Sequence, residues 1–338
     1  CLAEALFFPF YLWKFNELGK FRNLVHYANC RDSRSDFFRQ CMDAMTSAVS
    51  SHSALASTPE LYLRKAVSGW FFDTPIENIH FENFKSWVAC YFFNKHLHDL
   101  SEENLHEAGE LTRRIEEKLK MKFLPGGNDL VLSARLHLDP IFSTQRPFFI
   151  YVAVFFINLF THLALRFIGF RKSAAPSSQA QNIYVRRATK PKKKKRSSGN
   201  AEEKEKVPVV FIHGLGIGFA HYFRLINHMP KDVDVYLLEW PHVAMQLSGK
   251  VPTIEETKEV VSGALLADGH KKACFVGHSL GNTAISWFLR DRKYASFVHS
   301  SVQLDPVTYL LCDPTVATVF VYKNPQSLLA LCMHFFLS

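Results

Sequence analysis

The sequence lacks paired cysteines. Its seven cysteines are scattered along the chain, and no two have the C-x-x-C spacing of a zinc or redox site. Their neighbours are mostly apolar, which favours reduced residues in the core of an intracellular domain over a disulfide framework. We therefore predict no metal site, and we expect no cofactor.

Outside one segment the chain has no excess charge of either sign. The net charge of +9 equals the surplus of residues 171–206, where 12 basic residues stand against 3 acidic ones. This segment lacks apolar periodicity and contains the basic run Lys192–Arg196, so we predict that 171–206 is a basic disordered linker. No aromatic residues interleave the run, which indicates no base readout, and we predict no nucleic-acid partner.

Three roles remain open for this basic run. It can flank a membrane helix on the cytosolic side, contact anionic lipid headgroups, or act as a nuclear import signal. A simple solvated linker is the fourth reading. The apolar segment that precedes the linker favours the two membrane roles over import.

The features of a signal peptide are also missing. The chain begins with Cys1 and shows neither a charged n-region nor a small-residue cleavage site. Its first apolar run, Ala5–Trp13, is typical of the end of a longer apolar segment. We therefore expect the sequence to be a fragment that is truncated at the N-terminus.

Residues 1–145 are predicted to be a mainly helical N-terminal region. Apolar residues recur at helical spacing between Leu105 and Phe123, and Ser101 is placed to cap that helix. A second helix is predicted from Pro75 to Asn94. We interpret the many aromatic residues of this region as core packing.

Residues 146–170 are predicted to be a transmembrane or membrane-interfacial helix. Between Pro147 and Leu165 the only polar residues are Asn158, Thr161 and His162, and this stretch would rise about 28 Å as a helix, close to the thickness of a hydrocarbon core. The three polar residues share one helix face, which also fits a helix that lies in the interface or packs on protein. If the helix spans a membrane, its basic flank places the later domain on the cytosolic side.

From residue 207 to 338 the pattern alternates between strands and helices, which predicts a parallel sheet with helices on both faces. The predicted strands are Val207–Ile212, Val233–Glu239, Lys272–Val276 and Val298–Leu304. The predicted helices cover about 219–229, 254–267 and 282–290. The fold class is therefore α/β.

The pentapeptide Gly277–Gly281 follows one of these strands and leads directly into a helical pattern. A strand, a tight turn and a helix with Ser279 at the apex form a nucleophile elbow, in which larger residues two positions before or after the serine would collide with the neighbouring elements. Gly277 and Gly281 occupy both of those positions. We predict that Ser279 is a catalytic nucleophile.

A glycine-rich loop, His213–Gly218, follows the first predicted strand of this domain. Gly214 and Gly216 would let a backbone N–H approach a tetrahedral oxygen closely, so we predict an oxyanion hole with Leu215 and Leu280 as its two N–H donors. A dinucleotide fingerprint is the weaker alternative, because the spacing is G-x-G-x-G. The residues predicted to line the acyl side of a pocket are Leu215, Ile217, Phe219 and Tyr222.

The order of these motifs between Val207 and Leu304 resembles the α/β-hydrolase superfamily of the AB hydrolase-1 type. The helical extension and the apolar segment ahead of it resemble largely uncharacterised membrane-anchored members, mostly fungal and protist. The resemblance implies a triad in the order serine, acid, histidine. Asp305, after the last predicted strand, matches lipases whose acid follows the strand after the elbow, although capping of the next turn is an alternative role; Asp313 is a weaker candidate.

The resemblance also implies a histidine loop after the last strand. Only His334 remains there, in an apolar stretch that is typical of a helix, and we interpret His213 and His278 as residues that orient the backbone. We therefore expect an incomplete hydrolase sheet, truncated at the C-terminus, and a catalytic histidine beyond Ser338.

Two functions follow from these patterns. The first is a membrane-associated serine hydrolase that acts on a carboxylic ester, with a lipid or acyl ester as a candidate substrate. The alternative is a catalytically silent hydrolase fold that serves as a membrane-bound interaction module. In either case we expect residues 1–338 alone to be inactive, because a serine without a base is a poor nucleophile.

Overall fold

The computed structural model describes residues 2–19, 30–51, 58–136, 138–140, 145–173, 180–189, 206–248, 250–309, 311–322, 326–328 and 331. The chain divides into two compact units. One consists mainly of Leu6–Thr144 with Leu310–His334, and the other mainly of Gln145–Tyr309. We call them the helical unit and the sheet unit.

The described residues before 145 form five α-helices and short 3-10 turns. The helices are α1 (Leu2–Leu18), α2 (Arg31–Ser51), α3 (Pro59–Trp70), α4 (Phe81–Phe93) and α5 (Glu102–Leu119). The Ser101 hydroxyl accepts the N–H of Asn104, which confirms the predicted cap of α5. The helix ends earlier than the apolar spacing indicated, because Lys120 adopts a left-handed conformation that closes it.

Aromatic packing holds the helical unit together, as the sequence indicated. The rings of Trp87 and Tyr91 lie 4.8 Å apart, and those of Phe84 and Phe123 lie 5.2 Å apart. Asp313 also belongs to this unit, where its carboxylate accepts a hydrogen bond from Tyr62 at 2.6 Å and caps the short helix Pro314–Ala317. The carboxylate of Asp313 is thus engaged in the packing of this unit.

The described part of the sheet unit contains six strands in the order β1-β2-β4-β3-β5-β6. They are β1 (Arg171–Lys172), β2 (Asn182–Arg186), β3 (Val209–Ile212), β4 (Val235–Glu239), β5 (Ala273–His278) and β6 (Val298–Leu304). The strands from β3 to β6 are mutually parallel, whereas β1 and β2 add to the edge of β4 in antiparallel register. The predicted α/β class is confirmed.

Two strands, β1 and β2, lie where the sequence predicted a linker. Between residues 171 and 206 we expected no regular structure, yet β2 pairs with all five residues of β4 from Asn182↔Glu239 to Arg186↔Val235. The reason is a short alternation within the basic segment: Ile183 and Val185 are buried in the core. Two apolar side chains at period two, next to an otherwise open edge, are enough to add a strand.

Helices cover both faces of the sheet, as expected for parallel strands. They are α6 (Phe148–Phe167), α7 (Phe223–His228), α8 (Ile254–Ala267) and α9 (Asn282–Arg290). Successive residues of β3 enter different cores: Ile212 packs with Leu265 and Phe288 of α8 and α9, and Phe211 packs with Leu165 of α6. The sheet therefore holds the carboxyl ends of β3, β4, β5 and β6 on one side of the unit, where the predicted site residues lie.

Candidate active site

Ser279 stands between a strand and a helix, as predicted. β5 ends at His278, a single 3-10 turn covers Ser279–Gly281, and α9 begins at Asn282. Ser279 has φ of 49°, a left-handed conformation that residues other than glycine rarely adopt. Such a conformation persists only where the surroundings enforce it, and it is the backbone geometry of a nucleophile elbow.

Both glycines of the pentapeptide are required by close contacts. A Cβ at Gly277 would lie 2.7 Å from Oδ1 of Asn282, in the helix that follows. A Cβ at Gly281 would collide with the carbonyl oxygen of Ile212 and lie 2.8 Å from that of His213. The elbow is therefore packed directly against the end of β3, and neither position has room for a Cβ.

The glycine-rich loop after β3 meets the elbow. A Cβ at Gly214 would lie 2.8 Å from the carbonyl oxygen of His278 and 3.0 Å from Cβ of Ser279. Gly216 has φ of 149°, which side chains oppose. The structure thus brings the loop and Ser279 together, as a shared site requires.

Among the N–H groups of Gly214, Leu215 and Gly216, that of Leu215 remains available. The N–H of Gly214 donates to the hydroxyl of Tyr222 at 3.1 Å, and the N–H of Gly216 donates to the carbonyl of Val243 at 3.0 Å. The N–H of Leu215 has no hydrogen-bond partner within the described residues. Leu280 lies in the first turn after the strand, where N–H groups lack a partner within the helix.

His213 is a buried structural residue. Its Nδ1 lies 2.8 Å from the carbonyl oxygen of Gly214, and its Nε2 accepts the N–H of Trp240 at 3.0 Å. Burial lowers the pKa of His213 to about 4, so the ring is neutral at physiological pH. Both nitrogens are occupied by backbone groups, in keeping with the predicted role in orienting the loop.

Tyr222 joins the loop to the elbow, a role that the sequence did not reveal. Its hydroxyl accepts the N–H of Gly214 and is hydrogen-bonded to Nδ1 of His278 at 2.6 Å. We predicted that Phe219 and Tyr222 line an acyl pocket, and this is wrong, because both side chains are buried in the core between α6, α7 and the sheet. Their apolar character serves that core.

Replacing Tyr222 by phenylalanine should loosen the loop. The change leaves a buried N–H of Gly214 without an acceptor, which costs roughly 1–3 kcal/mol. We expect hydrogen exchange of the amides at 213–218 to become about tenfold faster or more. Tyr294→Phe is the matched control, since that hydroxyl meets only the ammonium of Lys293. Equal exchange in both variants would contradict the bridging role.

Asp305 lies beside the elbow. His278 pairs with Leu304 across β5 and β6, so Ser279 and Asp305 each follow one member of this pair. The side-chain amide of Asn282 donates to the carbonyl oxygens of Ser279 and Leu304 at 3.0 and 3.1 Å, which ties the two strand ends together. Asp305 also has a left-handed φ of 41°, and its exposed carboxylate has no hydrogen-bond partner within the described residues.

No histidine ring is hydrogen-bonded to Ser279 or Asp305 in the part of the chain that the structure describes. His334 lies outside the described residues. In the same part of the chain, no group of three or more histidine, cysteine or acidic side chains is placed to hold a metal ion.

A buried carboxylate at the end of β4 was also missed from the sequence. Glu239 is fully buried, and its oxygens accept hydrogen bonds from Asn182 at 3.0 Å and Gln246 at 3.1 Å, with Nε2 of His162 at 2.9 Å. Burial raises the pKa of Glu239, but the bonds from His162 and Asn182 outweigh this and lower it below its ordinary value. The sequence did contain one signal for this site, namely a single acidic residue at the end of a strand that is otherwise apolar.

The helix α6 is attached to the sheet unit through its polar face. Asn158 and Thr161 are buried, and His162 reaches Glu239, so the three polar residues do share one face. The opposite side is apolar and exposed, with Phe149, Phe155, Phe156, Phe160, Leu163 and Phe167 between 44% and 90% accessible. With a mean hydropathy of 2.1 over 18 residues, α6 is long and apolar enough to cross a membrane.

Comparison with known proteins gave structural matches only. No protein-family model matches the chain, and no curated protein sequence does. Similar solved structures include carboxylesterase CesB from Bacillus subtilis (15% identity, 46% of this chain and 50% of that chain, TM-score 0.32) and a putative lipase from Acinetobacter baumannii (16%, 55% and 57%, 0.32). A bacterial membrane phospholipase A is similar at 15% identity, over 46% of both chains, with TM-score 0.32.

The chain spans about half the length of these solved structures. Similarities with TM-scores near 0.3 carry no weight for activity. The geometry around Ser279 has to support any function by itself.

Proposed function

We propose that this protein is a serine hydrolase that cleaves carboxylic esters, with Ser279 as its nucleophile. The observation that carries the proposal is the left-handed backbone of Ser279 at a strand-to-helix junction, with the backbone of Gly214 held against it. A sequence under no constraint at this point would avoid both the strained serine and the glycine contacts.

In the proposed reaction, Oγ of Ser279 attacks the ester carbonyl carbon and forms a tetrahedral oxyanion. The N–H groups of Leu215 and Leu280 donate to this oxygen, each worth about 2.7–4 kcal/mol of the barrier in comparable sites. The alcohol leaves with a proton, and water then releases the acid from the acyl-serine. A histidine from outside the described residues moves the protons, and Asp305 is our candidate for the acid that orients it.

The alternative is a hydrolase fold without activity that serves as an interaction module. What favours it is that no histidine is bonded to Ser279 within the described residues. Ester turnover therefore depends on a histidine from outside the described residues.

A fluorophosphonate probe separates the two functions. It should label the protein in membranes of cells that express the native gene, and labelling should fall when a hydrolysable ester competes. Absence of labelling in native membranes would refute the enzyme and favour the interaction module.

We further propose that α6 attaches the protein to a membrane by its exposed face. The buried face of α6 packs on the sheet, and its His162 is bonded to a buried carboxylate. A helix that crossed the bilayer in this arrangement would carry Glu239 and its polar partners into hydrocarbon, where charge is costly. Attachment in the plane of the interface avoids this cost and leaves the phenylalanines in lipid.

Vesicle flotation tests this attachment. The double change Phe156→Asp/Phe160→Asp should weaken binding to lipid vesicles by about tenfold or more, because two exposed apolar side chains no longer enter the bilayer. The control is Leu266→Asp/Leu289→Asp, which changes two exposed leucines on α8 and α9. Equal flotation of the phenylalanine variant and the wild type would contradict attachment through α6.

A further inference from the structure

A basic cavity lies at the opposite end of the sheet from Ser279. It has a volume of about 720 Å³ and is lined by residues that follow α6, by the end of β2 and by Lys231. The end of β2 pairs with the start of β4, because Arg186 is opposite Val235, so the cavity is near the amino ends of the parallel strands. Ser279 lies at their carboxyl ends, and the cavity is therefore a separate place in the fold.

The charges that line this cavity do not balance. Five basic residues face one carboxylate, that of Asp268. Arg187 forms an ion pair with Asp268 and another with Asp234, so its positive charge is already neutralised. The four basic residues that remain have no ion pair within the described residues: Arg171, Lys172, Arg186 and Lys231.

Arg186 is the most informative of these residues. It is only 6% exposed, and its guanidinium is stacked on the ring of Phe170 at 4.9 Å. Nη2 donates to the carbonyl oxygens of Met229 and Pro230 at 3.0 and 2.9 Å, whereas Nε and Nη1 are buried without a hydrogen-bond partner within the described residues. A buried guanidinium normally has an anionic partner, since an unpaired buried charge is strongly destabilising.

The surroundings favour an oxyanion over other partners. Guanidinium and ammonium groups together match the charge and the geometry of phosphate. The carboxyl end of α6 carries partial negative charge, which would repel an anion. Arg171 neutralises part of it by donating to the carbonyl of Arg166 at 2.6 Å. Phe167 lines the rim of the cavity and is 90% exposed, so an apolar group attached to the anion would meet an apolar surface.

We propose that this cavity is a binding site for a phosphate group, either of a free phosphate compound or of a phospholipid headgroup. Arg186 supplies the buried charge, and Lys172 and Lys231 supply exposed ammonium groups of the lining. The site is independent of the proposed catalysis at Ser279, and Phe156 and Phe160, which test the attachment through α6, do not line it. Its ligand is held at the amino ends of the strands and takes no part in ester cleavage.

Binding of inorganic phosphate to the purified chain, measured by titration calorimetry, tests the proposal. Lys172→Glu/Lys231→Glu should weaken binding by about tenfold or more. Lys271→Glu/Lys272→Glu makes the same change in charge at exposed lysines that do not line the cavity, and it should leave binding within about twofold because these side chains do not contact the ligand. These variants avoid Arg186, whose bonds to backbone carbonyls also support the fold.

Vesicles distinguish the two sources of phosphate. The wild type is compared on phosphatidylcholine vesicles that contain either phosphatidic acid or phosphatidylserine at equal charge. A lipid headgroup is identified if the protein binds the phosphatidic acid vesicles more strongly and if the Lys172/Lys231 variant loses this preference. Binding of inorganic phosphate without this preference identifies a free phosphate compound. The proposal is overturned if the wild type binds neither phosphate nor phosphatidic acid, or if the two lysine variants bind equally. The Phe156/Phe160 variant should still bind inorganic phosphate, which separates failure of this site from failure of membrane attachment.

Discussion

Changing Ser279 to alanine should abolish covalent labelling by fluorophosphonate and lower ester hydrolysis by about 10³-fold or more in the protein expressed from its native gene. The reason is that the acyl-enzyme forms through Oγ of Ser279, and no neighbouring hydroxyl is held in the same strained turn. The left-handed backbone at this residue is retained by the packing of β3 and α9 around it. Alanine fits this space and removes only the nucleophile.

Ser286→Ala is the matched control for this change. Ser286 lies on α9, seven residues after Ser279, and is half-buried like Ser279. Its hydroxyl donates only to the carbonyl of Asn282, at 3.2 Å. We expect its activity and labelling to remain near those of the wild type. Loss in both variants would indicate damage to α9, and loss in neither would show that another residue is the nucleophile.

The largest effect on stability is expected for Gly281→Ala. A methyl group here meets the carbonyl oxygens of Ile212 and His213, which belong to backbone and have no rotamer by which to move away. Overpacking typically costs about 1–3 kcal/mol, and we expect the upper end here because both neighbours are backbone atoms. Since the chain has two compact units, a single unfolding midpoint would mix them, and hydrogen exchange of amides in β3 and β5 is the proper measurement.

Gly263→Ala provides the opposite expectation. Gly263 lies inside α8, and a Cβ there would have no heavy atom within 4 Å. Alanine should therefore stabilise the sheet unit by about 0.5–1 kcal/mol through its better helix propensity.

The prediction for Gly281→Ala is contradicted if the amides of β3 and β5 exchange as slowly in that variant as in the wild type. The elbow would then not be closely packed on β3.

The local pattern of the sequence was sufficient to predict the elbow. Strand, turn and helix are each encoded within a few residues, and the two glycines report contacts that any serine elbow requires. The loop at Gly214 could be placed next to Ser279 for a related reason, because carboxyl ends of neighbouring parallel strands meet at one edge of a sheet.

Features that depend on distant partners could not be predicted. The polar face of α6 was recognisable, yet nothing nearby in the chain indicated that Glu239, 77 residues after His162, would be its partner. From the sequence, Tyr222 was predicted to line an apolar pocket. Its hydroxyl bonds to Gly214 and His278 form only when the fold brings the loop and the elbow together, so the sequence could not indicate them.

The strand at 182–186 was hidden for a different reason. Its two inward residues, Ile183 and Val185, are surrounded by a basic and polar segment whose average composition indicates disorder. The same segment contributes Arg186 to the phosphate cavity. Composition averaged over 36 residues therefore concealed both a structural and a candidate binding element.

The measurement that most directly tests the central claim is the location of a fluorophosphonate adduct by peptide mass spectrometry, on the protein labelled in native membranes. We predict a single modified peptide with the adduct on Ser279. An adduct on a different residue, or an unmodified Ser279 peptide in protein that hydrolyses esters, would contradict the assignment of Ser279 as the nucleophile.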